Sequence, residues 1–196
     1  MTVSLSISVP VASIRSALIC APRKPDVRWY LNGVCLETGP KGARIAGTDG
    51  HRLFGHMFST EEFPASVSII PTDLFAGIRW GKAEFARIEI TGLEVAIEVA
   101  PDTRKFGRLI DGTFPRVDMV IPATASGKVA QFAPEYVADF GKVAKLLGSE
   151  EGRIFIHHNG KGGALVRFMG GGEAFGILMP LFRVEDRFEA PSWGPL

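Results

Sequence analysis

A strand that stops at a proline, then a helix, then three strands: this order occurs three times along the chain, once in about every 60 residues. In the first pass "SLSISVP" alternates small polar and apolar residues, as a half-buried strand does. Pro10 ends it, because proline cannot donate to a ladder and suits the first turn of a helix. "VASIRSALICA" follows, with Val11, Ile14, Leu18 and Ile19 at helical spacing, and "RWYLNGVCLET", "ARIAGTD" and "HRLFGHMFS" supply the strands. The second pass runs through "SVSIIP" to Pro71, a short helix carrying Leu74, Phe75 and Ile78, and the strands "FARIEITG", "LEVAIEVAP" and "KFGRLIDG". The third takes a strand up to Pro134 and a helix with Tyr136, Val137, Phe140, Val143 and Leu147 on one side, then "GRIFIHHNG", "GALVRFMG" and "EAFGILMPL". This is an α+β chain. A four-stranded sheet with one helix has one face covered, so units of this kind must share sheet edges or core with their neighbours. Any α+β chain can be cut into comparable pieces, and the motifs have to decide.

Composition narrows function more than fold. The 196 residues are 46% hydrophobic, enough to bury a sizeable core in one or two domains. Lys+Arg 22 against Asp+Glu 21 leaves a net charge of +1, so contact with nucleic acid would have to come from local clustering. Cys20 and Cys35 have no metal-ligand spacing; a disulfide between them stays open, with a reduced cytosolic protein as the expectation. The opening "MTVSLSISVPVASIRSALICA" has no basic leader and is interrupted by Pro10 and Arg15, and no segment offers the roughly 18 apolar residues of a membrane span. The expected location is cytoplasmic.

"AGTDGHRLFG" gathers Thr48, Asp49, His51 and Arg52 around Gly50. Asp49-Gly50 is a strong hairpin signal. Either it is a type I′ turn with His51 and Arg52 in solvent, or it is a turn whose side chains meet a partner. A metal or acid–base site is disfavoured: Asp49, His51 and His56 share one hairpin whose successive residues alternate faces, and no second carboxylate motif completes a shell. His157 and His158 fail in the same way. No metal, no cofactor and no enzymatic activity are expected.

"YLNGVCLET", "AGTDGHRL", "LIDGTFPRVDMVIP" and "ILMPL", in that order, resemble the β sliding clamp family of bacterial DNA polymerase III. The resemblance covers about residues 1–182. It implies a DNA-clamp fold of three βαβββ units, one and a half clamp domains, with sheets outside and helices inside. Residues 1–122 correspond to the clamp's middle domain (units 1–62 and 63–122), residues 123–182 to the C-terminal half of its last domain, and 183–196 form a tail. The family forms rings around duplex DNA, has no catalytic centre, and grips a short apolar peptide of DNA polymerases and repair proteins. Carried over by position, the client-peptide site comprises Leu31, Thr48, Gly50, His51, Arg52, Leu53, Pro115, Val120, Leu178, Met179, Pro180 and Leu181. Leucine, valine and proline give a dry floor, Met179 an adaptable contact, and Thr48, His51 and Arg52 polar contacts at the rim. The bound peptide is expected to be leucine-rich with an aromatic end.

Basic residues cluster in or just after the helices: Arg15, Arg23, Lys24, Arg79, Lys82, Lys142 and Lys145. They suit weak, salt-sensitive phosphate contacts without sequence readout, although lysine and arginine are also common on any exposed helix. The family's chain holds six units and closes as a dimer of about twelve, so four chains of three units would restore that number in a closed homo-oligomer. If neighbouring units alternate in direction, only two-fold pairing restores the alternation, giving a tetramer of dihedral symmetry with peptide pockets on both faces. The tail adds Phe188 and Trp193, which either fold into a pocket or lie loose. Two functions follow from the resemblance: a processivity clamp that assembles around DNA, or a non-encircling regulator or decoy, encoded by a mobile element, that binds clamp-interacting peptides.

Overall fold

The computed structural model describes residues 4–99 and 103–181. In β1 (Ser4–Pro10) the alternation seen in the sequence becomes two faces, with Ile7 and Val9 buried and the serines exposed. α1 (Val11–Cys20) starts directly from Pro10 and is buried nearly all round, including Ser13 and Ser16. The Ser16 hydroxyl donates to the Ala12 carbonyl, and Ser13 Oγ lies 2.6 Å from His56 Nδ1, so the buried hydroxyls are satisfied. β2 (Gly33–Gly39), β3 (Gly42–Thr48), β4 (Arg52–Ser59) and β5 (Ser66–Pro71) follow. After a 3-10 turn at Thr72–Phe75 come β6 (Phe85–Thr91), β7 (Glu94–Glu98) and β8 (Arg104–Arg108). A second 3-10 turn, Val117–Met119, precedes α2 (Pro134–Leu146), β9 (Ile154–His157), β10 (Ala164–Phe168) and β11 (Ala174–Leu178).

Two antiparallel sheets result, in the orders β1-β6-β7-β8 and β5-β2-β3-β4-β11-β10-β9. The first strands are exchanged. β1 leaves the strands that follow α1 and pairs with β6, Pro10 opposite Phe85, while β5 pairs with β2, Pro71 opposite Gly33. One core joins the layers, with Val9, Ile14, Val34, Ile45, Phe54, Ile88, Phe140 and Val166 among its members. α1 lies on β3 and beside α2. The approach to β3 is so close that a Cβ on Gly47 would fall 2.1 Å from the Ala17 carbonyl oxygen.

The structure departs from the sequence reading at three places. The second helix is a single 3-10 turn: Ala76 is already extended, and "AGIRWGK", with two glycines, has little tendency to continue a helix. The strand expected before Pro134 is absent, since 122–133 forms no ladder. Its partner in an exchange like that of β1 and β5 would be a further unit, and the chain between β8 and α2 contains none. The Asp49-Gly50 turn is not a two-residue hairpin, for Thr48 pairs with Leu53 and four residues lie between them. The tail expectation for Phe188 and Trp193 lies outside the described residues. Cys20 and Cys35 are free and buried; burial raises both thiol pKa values, Cys35 to about 12. Among the described residues no helix is long and apolar enough to cross a membrane.

Candidate functional site

The β3–β4 loop is organised by its own polar groups. Asp49 Oδ1 accepts from the backbone N–H of His51 (2.9 Å) and of Arg52 (3.0 Å). Thr48 Oγ1 accepts from the N–H of Gly50 (3.0 Å) and donates to the Arg52 carbonyl (2.6 Å). Gly50 takes φ +87°, a left-handed conformation in which a side chain would be strained. The loop is also braced from outside: Arg28 Nη2 donates to the Asp49 carbonyl at 3.0 Å while pairing with Asp26 at 2.7 Å. "TDG" therefore spells a self-satisfied turn. It leaves His51 exposed, with its ring stacked on Tyr136 at a centroid distance of 6.2 Å.

Arg52 turns inward. It is 2% exposed and ion-paired with Asp139 of α2, with its guanidinium 4.6 Å above the Tyr136 ring. Its Nε lies 3.2 Å from Asp49 Oδ2 but is not aligned as a hydrogen bond. Asp139 also accepts from Arg23 (2.6 Å) and Lys142 (2.7 Å). Burial pushes the Asp139 carboxyl upward, but hydrogen bonds from Lys142, Arg52 and Arg23 outweigh it and hold the pKa at about 2. The rim role expected for Arg52 is thus corrected. A guanidinium this deep needs a carboxylate, and the carboxylate is 87 residues away.

β4 and β11 lie side by side, and their successive pairs face opposite ways: Arg52 and Leu178 turn toward the main core and α2, whereas Leu53 and Ile177 form an apolar floor on the other face. The Met179 N–H donates to the His51 carbonyl at 2.9 Å. Leu53, Ile177, Phe114 and Val117 share one apolar cluster, so Val117 pins its 3-10 turn against this floor. Pro115 and Val120 flank that turn, Val120 42% exposed. Leu31 ends a 3-10 turn at Trp29–Leu31 that begins next to the bracing Arg28, and it is buried. Thr48, Leu53, Leu178 and Pro180 are buried as well, Met179 is half-buried, and Leu181 is 46% exposed. Pro180 and Leu181 form one wall of a groove of about 1020 Å³ whose other walls are residues 128–131 and 159–162. A smaller cleft of about 310 Å³ lies among Arg23, Arg28, His51 and Tyr136.

Residues 11–116 match the family model described as DNA polymerase III beta subunit, central domain. The chain belongs to that family. The "Beta sliding clamp" of Haemophilus influenzae is 29% identical over 137 residues, which cover 65% of this chain and 36% of that protein. The one from Pseudomonas aeruginosa is 30% identical over 167 residues, covering 76% and 42%. The match thus spans less than half of either relative. In fold, a putative DNA polymerase III beta subunit from Eubacterium rectale superposes with a TM-score of 0.70 at 12% identity, over 91% of this chain and 66% of that one. The Pseudomonas aeruginosa subunit gives 0.69 at 17%, over 92% and 67%. The sheet-rich architecture of this chain is therefore the clamp fold.

The helix-associated cations divide into two groups. Arg15, Lys24, Arg79, Lys82 and Lys145 are exposed. Arg23 and Lys142 are exposed too, but both bind Asp139, and Arg23 also reaches Glu135 at 3.3 Å. Asp139 and Tyr136 are the residues that sequence reasoning missed as parts of the site. Their signal was present: an aspartate three residues after Tyr136 and just before Phe140, on the apolar side of α2, requires a buried cation as partner.

Proposed function

We propose that this chain is a sliding-clamp-like DNA processivity factor without chemistry of its own. It assembles into a homo-oligomeric ring, favouring a tetramer, that encircles duplex DNA and tethers DNA polymerase or repair proteins through a short apolar peptide. The observation that carries the proposal is the β4–β11 pairing, which joins two motifs more than 120 residues apart. Through it the loop at His51 comes beside the segment that follows β11, where the Met179 N–H donates to the His51 carbonyl and Leu178 is buried beneath. Leucine side chains of a client would bury against Met179, Leu181 and Val120, and His51 would offer the polar contact at the edge. Arg15, Lys24 and Lys145 support non-specific phosphate contact.

The test uses a fluorescent leucine-rich peptide ending in an aromatic residue, titrated into the full chain. Met179→Ala and His51→Ala together are expected to weaken binding by about tenfold or more, roughly 1.4 kcal/mol. Binding that is unchanged in this variant would overturn the site. The pairing of Arg23 and Lys142 with Asp139 removes two of seven cations from full phosphate contact, and so favours a second reading, the non-encircling regulator. Peptide binding with equal release from nicked circular and linearised DNA would select that reading.

A further inference from the structure

The exchange of first strands is complete in the first two units and half-finished in the third. β1 pairs with β6 and β5 with β2, each proline opposite the residue that opens its neighbour's strand. In the third unit both halves of such an exchange are present and unused. Segment 128–133 runs into the helix cap at Ala133 as β1 runs into Pro10, yet it enters neither sheet. β9, the strand that follows the helix, ends the seven-stranded sheet with its outer side unpaired among the described residues. The apolar side chains there are incompletely covered: Val129 is 82% and Phe155 56% exposed, and Phe132, Ile154 and Ile156 lie half-buried at the border of the core.

We propose that the occupant is a second copy of this chain. Two third units would exchange their 128–133 segments across a two-fold axis, each segment adding antiparallel to the other chain's β9. The template is the chain's own β1/β5 exchange, which shows that this sequence type pairs in that manner. Keeping the apolar faces together limits the register to even steps, and the following one is put to the test. Phe132 faces Ile154 and Ala130 faces Ile156, while Gln131 and Val129 stand opposite Phe155 and His157 on the outer face. The exchange replaces the contacts the segment makes within its own chain: Gly160 N–H to the Lys128 carbonyl (2.8 Å), Leu181 N–H to the Gln131 carbonyl (2.8 Å), Ala130 N–H to His158 Nδ1 (3.1 Å) and the Phe132 ring packed 5.4 Å from that of His158. It completes the outer strand of the sheet and removes an open edge, as swapping between identical chains does at little cost. This deepens the ring reading, on which it rests, by naming one of its two-fold seams.

Chains that each carry one added cysteine test it, because the native Cys20 and Cys35 are buried and contribute little background. Chains bearing Gln131→Cys are mixed with chains bearing Phe155→Cys, both exposed positions, and oxidised gently; maleimide labelling checks that each thiol is reactive. The expected result is a heterodimeric disulfide about tenfold more abundant than that from Gln131→Cys mixed with Glu150→Cys, because pairing raises the local concentration. Reactive thiols that cross-link no better than this control would overturn the exchange. Peptide binding and retention on circular DNA are read on the same preparations. If both fail while the cross-link forms, the clamp reading falls and the exchange stands; the opposite result removes the exchange alone.

Discussion

Asp139 holds three cations at once, and only one of them, Arg52, is itself out of water. Asp139→Asn leaves that guanidinium buried with only the Asp49 carboxylate, 3.2 Å from its Nε, as counter-charge, and is expected to destabilise the chain by about 3 kcal/mol in urea unfolding at neutral pH. The carboxyl titrates at about 2 in the fold against 3.8 in the open chain. Its stabilisation is therefore complete above 3.8 and disappears as pH falls toward 2, so acid unfolding over that window should be shallower in Asp139→Asn. The position of the loop was legible in the sequence, but its length of four residues was not. Thr48, Asp49 and Gly50 announce a polar turn because its hydrogen bonds are local. The inward turn of Arg52 was not, because its cause lies on another element.

At the scale of elements, the strands could be read from their alternation wherever one face is buried, as in β1. The 3-10 turn at Thr72–Phe75 could not, since a few apolar residues at helical spacing do not distinguish one turn from several. Segment 128–133 shows a different limit. Its pattern is that of a strand, but a strand exists only where another strand receives it. The seat of α1 on β3 gives a direct check on the packing. Gly47→Ala would drive a methyl group into the Ala17 backbone, which neither element can yield without shifting, and should cost about 1–3 kcal/mol in thermal or urea unfolding. A value near zero would mean that α1 sits further from the sheet than described.

For the whole molecule, the order of motifs in the sequence carried the family, and the joining of β4 to β11 shows how the two distant parts of the candidate peptide site become neighbours. The unit count suggested four chains, but the edges that would join them were not legible, because they are defined only once the fold is built. Two such edges matter. One is β9, and the other is β8, where Phe106 is 69% exposed between Arg104 and Arg108. If the β9 seam joins two chains, closure into a ring of four brings β8 against β8. Pairing centred on Phe106 sets Arg104 opposite Arg108, a repulsion that salt would screen. The native mass of the full chain at micromolar concentration, by sedimentation equilibrium at low and moderate salt, tests the ring most directly. The account predicts a species of four chains, favoured by moderate salt over one of two; a monomer, or an assembly that stops at two chains under every condition, would contradict it.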